Sequence, residues 1–139
     1  MKINAYLSFD GNCREAFAYY QKHLGGEILM MLTNGESPMA DEMPADMKDK
    51  VMHARMVING DQVLMGGDTH TGQYENMTGV MMAVNIYDES EAERIFSVLA
   101  DGGRVVMPLE ETFWAKRFGM TYDQFGVSWM INCEKPMEQ

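Results

Sequence analysis

The chain has 139 residues, of which 46% are hydrophobic, and a formal net charge of −10 at pH 7. This length suits one domain with its own core, while the excess of acidic residues argues against a nucleic acid partner. No apolar run approaches the ~20 residues of a membrane span, so no membrane association is expected.

The two cysteines and the N-terminus indicate the cellular compartment of the protein. Cys13 and Cys133 belong to no CxxC or CxxH motif, so they are interpreted as reduced thiols. Residues 1–4 open a predicted strand and lack the apolar region of a signal peptide. The sequence therefore predicts a cytoplasmic protein.

The first half of the chain predicts a strand, a helix and three further strands. The helix is expected to begin at Asn12, whose side chain and that of Glu15 have the spacing of a reciprocal cap, and to end at Gly25. Asn59-Gly60, between two apolar runs, predicts a tight hairpin. The predicted ranges are strand 2–9, helix 12–24 and strands 27–33, 51–58 and 62–65.

Two segments of this half have no periodicity. Residues 34–50 are polar and acidic and contain two prolines, which predicts a mobile loop. Residues 66–78 are rich in glycine and are interpreted as a linker between the halves.

The second half repeats this order. Ser90 and Glu93 have the spacing of a second reciprocal cap, and Gly102 marks the helix end, so the helix signals recur in register to within one residue. The predicted ranges are strand 80–87, helix 91–101 and strands 104–109, 113–120 and 127–133. We therefore predict an α+β fold in one domain, residues 1–139. It would consist of two βαβββ modules, 1–68 and 79–135, whose curled mixed sheets enclose a pocket.

Several short stretches carry a family resemblance. They are Tyr6-Leu7-Ser8-Phe9, Gly11-Asn12-Cys13, His53-Ala54-Arg55, Met65 to Asp68, Glu111-Thr112-Phe113-Trp114-Ala115, Phe125-Gly126-Val127 and Trp129-Met130-Ile131-Asn132. Together they resemble the PhnB-like group of the vicinal-oxygen-chelate superfamily, once labelled 3-demethylubiquinone-9 3-methyltransferase-like. The resemblance implies the glyoxalase/bleomycin resistance/dihydroxybiphenyl dioxygenase fold.

Enzymes of this superfamily hold a divalent metal with His, Glu or Gln from the first, fourth, fifth and eighth strands. The matching positions here are Ala5, Met65 or Gly66, Met81 and Met130. Alanine, glycine and thioether side chains are poor ligands for such ions. Set against the family pattern, the sequence therefore predicts a site with no metal and no cofactor.

Strand alternation predicts which residues line the pocket. The wholly apolar face of each strand should meet the helix, which leaves Met81, Met130 and Asn132 on the pocket face. In the first strand, alignment with the family places Ala5 in the pocket, whereas the polarity pattern places Tyr6 and Ser8 there and is the reading we favour. The predicted ligand-binding residues are Tyr6, Ser8, His53, Met65, Met81, Trp114, Met130 and Asn132.

Few side chains suggest catalysis. His53 and Asp68 are the candidate catalytic residues, as an acid–base pair near neutral pH, although His53 could equally be structural. Asp68 with His70 would make a poor two-ligand metal site. Arg117 could bind a carboxylate or phosphate, or pair with Glu110 or Glu111 across the strand. Cys13 is unsuited as a nucleophile because it faces the buried stripe of its helix.

Three functions remain open. The first is a metal-free small-molecule binding protein. The alternative is an enzyme of the superfamily type, a lyase, dioxygenase or thiol transferase, that uses unconventional metal ligands or the His53/Asp68 pair. The third is an interaction module whose pocket is filled by its own core. We also expect a homodimer, because exposed sheet edges favour pairing.

Overall fold

The computed structural model describes residues 1–136. The chain divides into two compact units, Met1–Glu75 and a second that begins at Asn76. Their boundary falls inside the glycine-rich segment interpreted as a linker. Among the described residues, each unit contains one α-helix and one four-stranded mixed sheet.

The first unit has the strand order β1-β4-β3-β2, which we name sheet A. Strands β1 and β4 run parallel, and the other two pairs are antiparallel. Its elements are β1 (Ala5–Phe9), α1 (Cys13–Leu24), β2 (Gly26–Thr33), β3 (Val51–Ile58) and β4 (Gln62–Asp68).

The core of the first unit lies between α1 and sheet A. The helix buries Cys13, Ala16, Phe17 and Tyr20, and the Phe17 ring meets that of Phe9 edge to face, with centroids 6.1 Å apart. Glycine is needed in β4 at Gly66, because a Cβ there would lie 3.0 Å from the Phe17 ring. The helix therefore packs directly on the backbone of the sheet.

The start of α1 differs from the prediction. The Asn12 side chain makes no capping hydrogen bond, and its Oδ1 is buried without a partner among residues 1–136. The Cys13 amide instead donates to Asp68 Oδ1, 3.0 Å away. The predicted Asn12–Glu15 cap is wrong, and the side-chain acceptor at the start of α1 comes from β4 instead. The predicted end is confirmed, since Gly25 adopts the left-handed conformation with φ 74°.

Of the two predictions for the loops of the first unit, one is confirmed and one is wrong. At the β3–β4 hairpin, Asn59 and Gly60 both have positive φ, 52° and 84°, as its turn requires. The segment 34–50, predicted to be a mobile loop, instead forms three short 3-10 helices, Asn34–Glu36, Ala40–Glu42 and Ala45–Met47. Buried Asn34 holds them together by donating from Nδ2 to the Met47 carbonyl at 2.8 Å.

The second unit repeats this topology as sheet B, with the order β5-β8-β7-β6. Helix α2 buries Ala92, Ile95 and Leu99. Its cap is Asp88, which accepts from the Ser90 amide, so the predicted Ser90 cap is wrong by two residues. The elements are β5 (Met82–Asn85), α2 (Glu89–Ala100), β6 (Arg104–Glu110), β7 (Ala115–Tyr122) and β8 (Ser128–Glu134).

The turn between β7 and β8 is organised by one carboxylate. Asp123 accepts from the amides of Phe125 and Val127 through Oδ1, and from Trp129 Nε1 through Oδ2 at 2.8 Å. Trp129 is thereby fixed in the core, where it is 3% exposed.

The two strand–helix–strand–strand–strand units confirm the predicted α+β class and its two βαβββ modules. Both helices have 12 residues. Within residues 1–136, neither α1 nor α2 has the length and apolar character that crossing a bilayer requires.

Candidate ligand-binding faces

Sheet A has one face under α1 and one face turned away from it, which we name the open face of sheet A. Leu7 and Phe9 are buried under the helix, whereas Tyr6 and Ser8 are exposed on the opposite side. Ala5 shares the helix side with Leu7 by strand alternation. The structure therefore agrees with the polarity pattern of this strand, and the alignment reading that placed Ala5 in the site is wrong.

The open face of sheet A carries a stacked aromatic pair. The rings of Tyr6 and His53 lie nearly parallel at 23°, with centroids 5.9 Å apart, and the Tyr6 hydroxyl donates to the Met52 carbonyl at 3.2 Å. Gly67 makes this geometry feasible, because a Cβ there would lie 2.6 Å from the Tyr6 oxygen. Burial, with smaller contributions from Cys13 and Asp68, raises the pKa of Tyr6, so the phenol remains a neutral donor near pH 7.

Arg55 was not among the predicted binding residues. It lies two residues from His53 on β3 and is paired in register with Met65 on one side and Met30 on the other. Its guanidinium Nη2 lies 3.9 Å from the Met65 sulfur. Alternation from His53 was a sequence signal that could have placed Arg55 on this face.

The structure does not bring Asp68 and His53 together. Asp68 accepts from the Cys13 amide at 3.0 Å and from the Val51 amide at 2.8 Å, on the side of the sheet that carries α1. His53 stacks on Tyr6 on the other side. The proposed acid–base pair is therefore separated by the sheet itself, and Asp68 has a structural role.

Two other residues of the first unit, His70 and Cys13, were considered from the sequence as a metal ligand and as a nucleophile. His70 is exposed, and residues 1–136 contain no group of three or more His, Cys, Asp or Glu side chains placed to hold a metal. Burial, reinforced by Asp68 and Glu15, raises the pKa of Cys13 to about 12. The thiol is fully buried and stays protonated, as expected for a structural cysteine.

Sheet B also has an open face, the one turned away from α2. Its side chains follow from the register of β5, β8, β7 and β6. Trp129 and Ile131 are buried on the helix side, which leaves Met130 and Asn132 on the open side. The face includes Met81, Ala83, Asn85, Met107, Phe118, Met120, Met130 and Asn132, and the same register adds Arg104, Glu110, Tyr122 and Ser128.

Two asparagines form a polar contact on the open face of sheet B. Asn132 Nδ2 donates to Asn85 Oδ1 and to Glu134 Oε1, both at 3.2 Å. Its own Oδ1 is buried and has no hydrogen-bond partner among residues 1–136. An unpaired buried acceptor is costly, so this oxygen is suited to accept a hydrogen bond from a bound molecule.

Trp114 and Arg117 have different surroundings in the structure. Trp114 is 43% exposed and packs edge to face on Phe118, with centroids 5.2 Å apart, so it extends the open face. Arg117 pairs instead with Glu93 of α2 at 3.3 Å and approaches Glu89 at 3.9 Å. The predicted pairing of Arg117 with Glu110 or Glu111 is wrong, because the acids that it contacts lie on α2.

The side chains at the family's metal-ligand positions do not fit a divalent metal. Met65 and Met130 lie on the open faces of their sheets, and Met81 directly precedes β5 with 37% of its surface exposed. Gly66 has no side chain, and Ala5 faces the helix. Thioethers are too soft for Zn²⁺, Mn²⁺ or Mg²⁺, so these five positions do not supply the ligands that the superfamily's metal chemistry requires.

Two βαβββ units, each with a helix on one face of a mixed sheet, define the vicinal-oxygen-chelate fold. The fosfomycin resistance protein FosX of Listeria monocytogenes is similar with a TM-score of 0.64 at 13% identity, covering 97% of this chain and 94% of that chain; this likeness concerns the fold alone. The chain belongs to the family described as 3-demethylubiquinone-9 3-methyltransferase, whose model matches residues 1–132.

Three relatives are similar over nearly their whole length. Protein YjdN of Escherichia coli K12 is 37% identical over 143 residues, covering 97% of each sequence. The crystal structure of PA1353 from Pseudomonas aeruginosa has a TM-score of 0.88 at 50% identity, covering 98% of this chain and 99% of that chain. A putative 3-demethylubiquinone-9 3-methyltransferase, PhnB protein, from Bacillus cereus has a TM-score of 0.80 at 28% identity, covering 95% and 98%.

Proposed function

We propose that the chain is a metal-independent small-molecule binding protein. One observation carries the proposal: on both sheets, the face turned away from the helix presents aromatic and thioether side chains that remain accessible. Tyr6, Met81, Met107 and Trp114 are 37 to 49% exposed. Apolar surfaces with a few well-placed polar groups are typical of ligand sites, and exposed apolar surface of this kind usually has a partner.

Independence from metal is supported by the donor types. The open faces offer mainly thioethers, one imidazole and asparagine amides, and the carboxylates there, such as Glu27 and Glu134, belong to no group of three or more His, Cys, Asp or Glu side chains placed for a metal within residues 1–136. A protein of this class would recognise its ligand by contact with rings and sulfur atoms and by single hydrogen bonds, such as one to Asn132 Oδ1.

Catalysis is less well supported than binding. The only acid–base pair suggested by the sequence, His53 with Asp68, is split between the two sides of sheet A, and Cys13 is a buried, protonated thiol. The relative from Bacillus cereus is named as a putative 3-demethylubiquinone-9 3-methyltransferase, but on the open face of sheet A the Tyr6 hydroxyl beside His53 donates to the Met52 carbonyl and not to the imidazole. We therefore retain binding as the function.

We also propose a cellular compartment and an oligomeric state for the protein. Cys13 and Cys133 are both free and buried, which favours a reducing, cytoplasmic environment. A homodimer is favoured by strand β6, an edge of sheet B on which Val105, Val106 and Met107 are 40 to 48% exposed. Unpaired apolar edges are aggregation hazards that association removes.

The function is tested by a thermal-shift screen of metabolites in buffer with EDTA. A ligand that binds only the folded state stabilises it by about 2.7 kcal/mol at a hundredfold excess over its dissociation constant. We expect at least one organic compound to raise the melting temperature without metal. No stabilisation by any compound, or one metal per chain that survives dialysis, would contradict the proposal.

A matched pair of variants shows whether the open face of sheet B contributes. Met130→Glu places a carboxylate among apolar side chains and should reduce binding of an apolar ligand. Met39→Glu makes the same change at a residue that is 50% exposed, outside both sheets, and should leave binding unchanged. Circular dichroism confirms that each variant is folded.

A further inference from the structure

Arg55 differs from the other arginines in its contacts. Arg14 donates to the Asp49 carbonyl, and Arg94 and Arg117 pair with glutamates of α2. Arg104 lies over the Tyr122 ring, 4.6 Å from its centroid. Within residues 1–136, Arg55 contacts no oxygen and no ring; its one polar contact is the sulfur of Met65, at 3.9 Å.

The surroundings of Arg55 do not neutralise it. Its register partners on both neighbouring strands are methionines, Met30 and Met65. The acid that the register places on this side of β2, Glu27, lies opposite Val57 and forms no ion pair with Arg55. In a chain of net charge −10, Arg55 is thus an exposed arginine whose guanidinium has no oxygen partner within residues 1–136, so it is available to bind an anion.

The geometry beside Arg55 favours an organic anion over an inorganic one. The stacked rings of Tyr6 and His53 lie on the same face, and His53 is only two residues away on β3. Met30 and Met65 are the register partners of Arg55 on the two neighbouring strands, and the exposed guanidinium can form a charge-assisted hydrogen bond with a carboxylate. The rings and sulfur atoms provide a flat apolar surface next to a single fixed charge.

We propose that Arg55 is an anion-recognition residue on the open face of sheet A. Its guanidinium binds the carboxylate of a small organic acid whose aromatic or apolar body lies on the Tyr6–His53 stack. This inference rests on the proposed small-molecule binding function and names the class of ligand. The guanidinium offers two parallel donors to a carboxylate, while the protein's overall negative charge keeps nonspecific anion binding low.

The test uses three simple probes and the full chain labelled with ¹³C at the methionine methyl groups. Phenylacetate carries both the ring and the charge, phenylacetamide carries the ring alone, and inorganic phosphate carries charge alone. Each is titrated to about 10 mM, since fragments of this size bind weakly. We expect phenylacetate to shift the Met65 and Met30 methyl signals and to bind at least about tenfold more tightly than either other probe.

Matched variants separate the role of Arg55 from general charge effects. Arg55→Met should weaken phenylacetate binding about tenfold or more, whereas Arg55→Lys, which keeps the charge but loses the planar fork, should have an intermediate effect. Arg94→Met removes the same charge from the exposed surface of α2 and should leave binding unchanged. The dispersion of the methyl spectrum shows that each variant is folded.

The outcomes distinguish this inference from the proposed function. If phenylacetamide binds as well as phenylacetate, or Arg55→Met binds like the wild type, the carboxylate assignment is overturned while small-molecule binding stands. Absence of any shift at Met65 or Met30 also overturns it. If phosphate binds as tightly as phenylacetate, Arg55 recognises charge alone and the organic body contributes nothing to binding, which also overturns the inference. Failure of the proposed function is shown separately, by the metabolite screen.

Discussion

Asp68 Oδ1 accepts a hydrogen bond from the Cys13 amide at 3.0 Å, which joins the end of β4 to the first turn of α1. The second carboxylate oxygen accepts from the Val51 amide at the start of β3, at 2.8 Å. One side chain thus ties together three elements of the first unit. An acid at a helix N-terminus also interacts favourably with the helix dipole.

Replacing Asp68 should therefore destabilise the protein strongly. Asp68→Ala leaves two backbone amides without their acceptor, and we expect a loss of about 2–4 kcal/mol in the free energy of unfolding. Asp68→Asn keeps one acceptor oxygen and should lose less. Urea denaturation measures both, with Asp61→Ala in the exposed β3–β4 turn as the control, expected to change stability by less than about 0.5 kcal/mol. Equal effects of Asp68→Ala and Asp61→Ala would contradict this role.

The Cys13 thiol predicts a pH dependence at alkaline pH. Burial, with Asp68 and Glu15, raises its pKa from 9.0 to about 12 in the folded protein. Folding therefore favours the neutral thiol, so its stabilising contribution is complete below pH 9 and is lost as the pH rises toward 12.

Cys13→Ala removes this contribution, together with the smaller one that Cys13 makes to the raised pKa of Tyr6. Between pH 8 and about pH 11, the wild type should lose more stability than Cys13→Ala, measured as the difference in denaturation midpoints. In addition, a thiol reagent at pH 8 should modify Cys13 only after denaturation. Rapid modification of the native protein at this residue would show that the thiol is accessible.

Local patterns predicted the elements well and their ends less well. The hairpin at Asn59-Gly60 and the helix stop at Gly25 depend on backbone conformations that neighbouring residues dictate, so the sequence was sufficient. The cap of α1 was mispredicted because its acceptor, Asp68, is 55 residues away in the chain. No short-range pattern distinguishes a cap formed within the helix from one supplied by another strand.

The residues of the candidate site also divide into those that local patterns could place and those that depend on distant parts of the chain. Alternation placed Tyr6 and Ser8 on the open side of sheet A, since Leu7 and Phe9 had to be buried under α1. The positions of Asp68 and His53 along the chain did not indicate that the two residues lie on opposite sides of that sheet. The sequence also could not show that Arg55 lacks an acidic partner, because pairing depends on register between strands and on side-chain direction.

Asp123 predicts a second point of fragility, in the β7–β8 turn. Asp123→Ala removes the acceptor of the Trp129 indole and of two backbone amides, and should destabilise the fold by about 2–4 kcal/mol. Acrylamide should then quench the fluorescence of Trp129 at a lower denaturant concentration than in the wild type. Asp101→Ala, at the exposed end of α2, is the control. Unchanged denaturation of Asp123→Ala would refute the structural role of this turn.

The proposed homodimer is testable by light scattering. We expect a mass of twice the 15.8 kDa of the chain. Val106→Lys places a charge on the exposed edge β6 and should shift the protein toward the monomer. Val80→Lys alters a residue that is 65% exposed and lies outside the strands, so it should leave the mass unchanged. A monomer mass for the wild type across micromolar concentrations would contradict the dimer.

Gly67 provides the sharpest test of the aromatic stack on the open face of sheet A. A Cβ at this position would lie 2.6 Å from the Tyr6 hydroxyl oxygen and 2.7 Å from the Met52 carbonyl oxygen. The first contact can be relieved by moving a side chain, whereas the second involves the backbone of the neighbouring strand. Gly67→Ala should therefore displace Tyr6 from His53 and destabilise the protein by about 1–3 kcal/mol.

A double-mutant cycle separates these two contacts. Tyr6→Phe removes the hydroxyl, so the Tyr6→Phe/Gly67→Ala protein should lose less stability than the sum of the two single changes, leaving the cost of the backbone contact. Ser8→Ala, on the same face, is the control and should be nearly neutral. Urea denaturation gives the coupling energy, and the His53 ring signals in NMR report whether the stack persists. Strict additivity, with unchanged His53 signals in Gly67→Ala, would mean that Tyr6 does not depend on the space above Gly67.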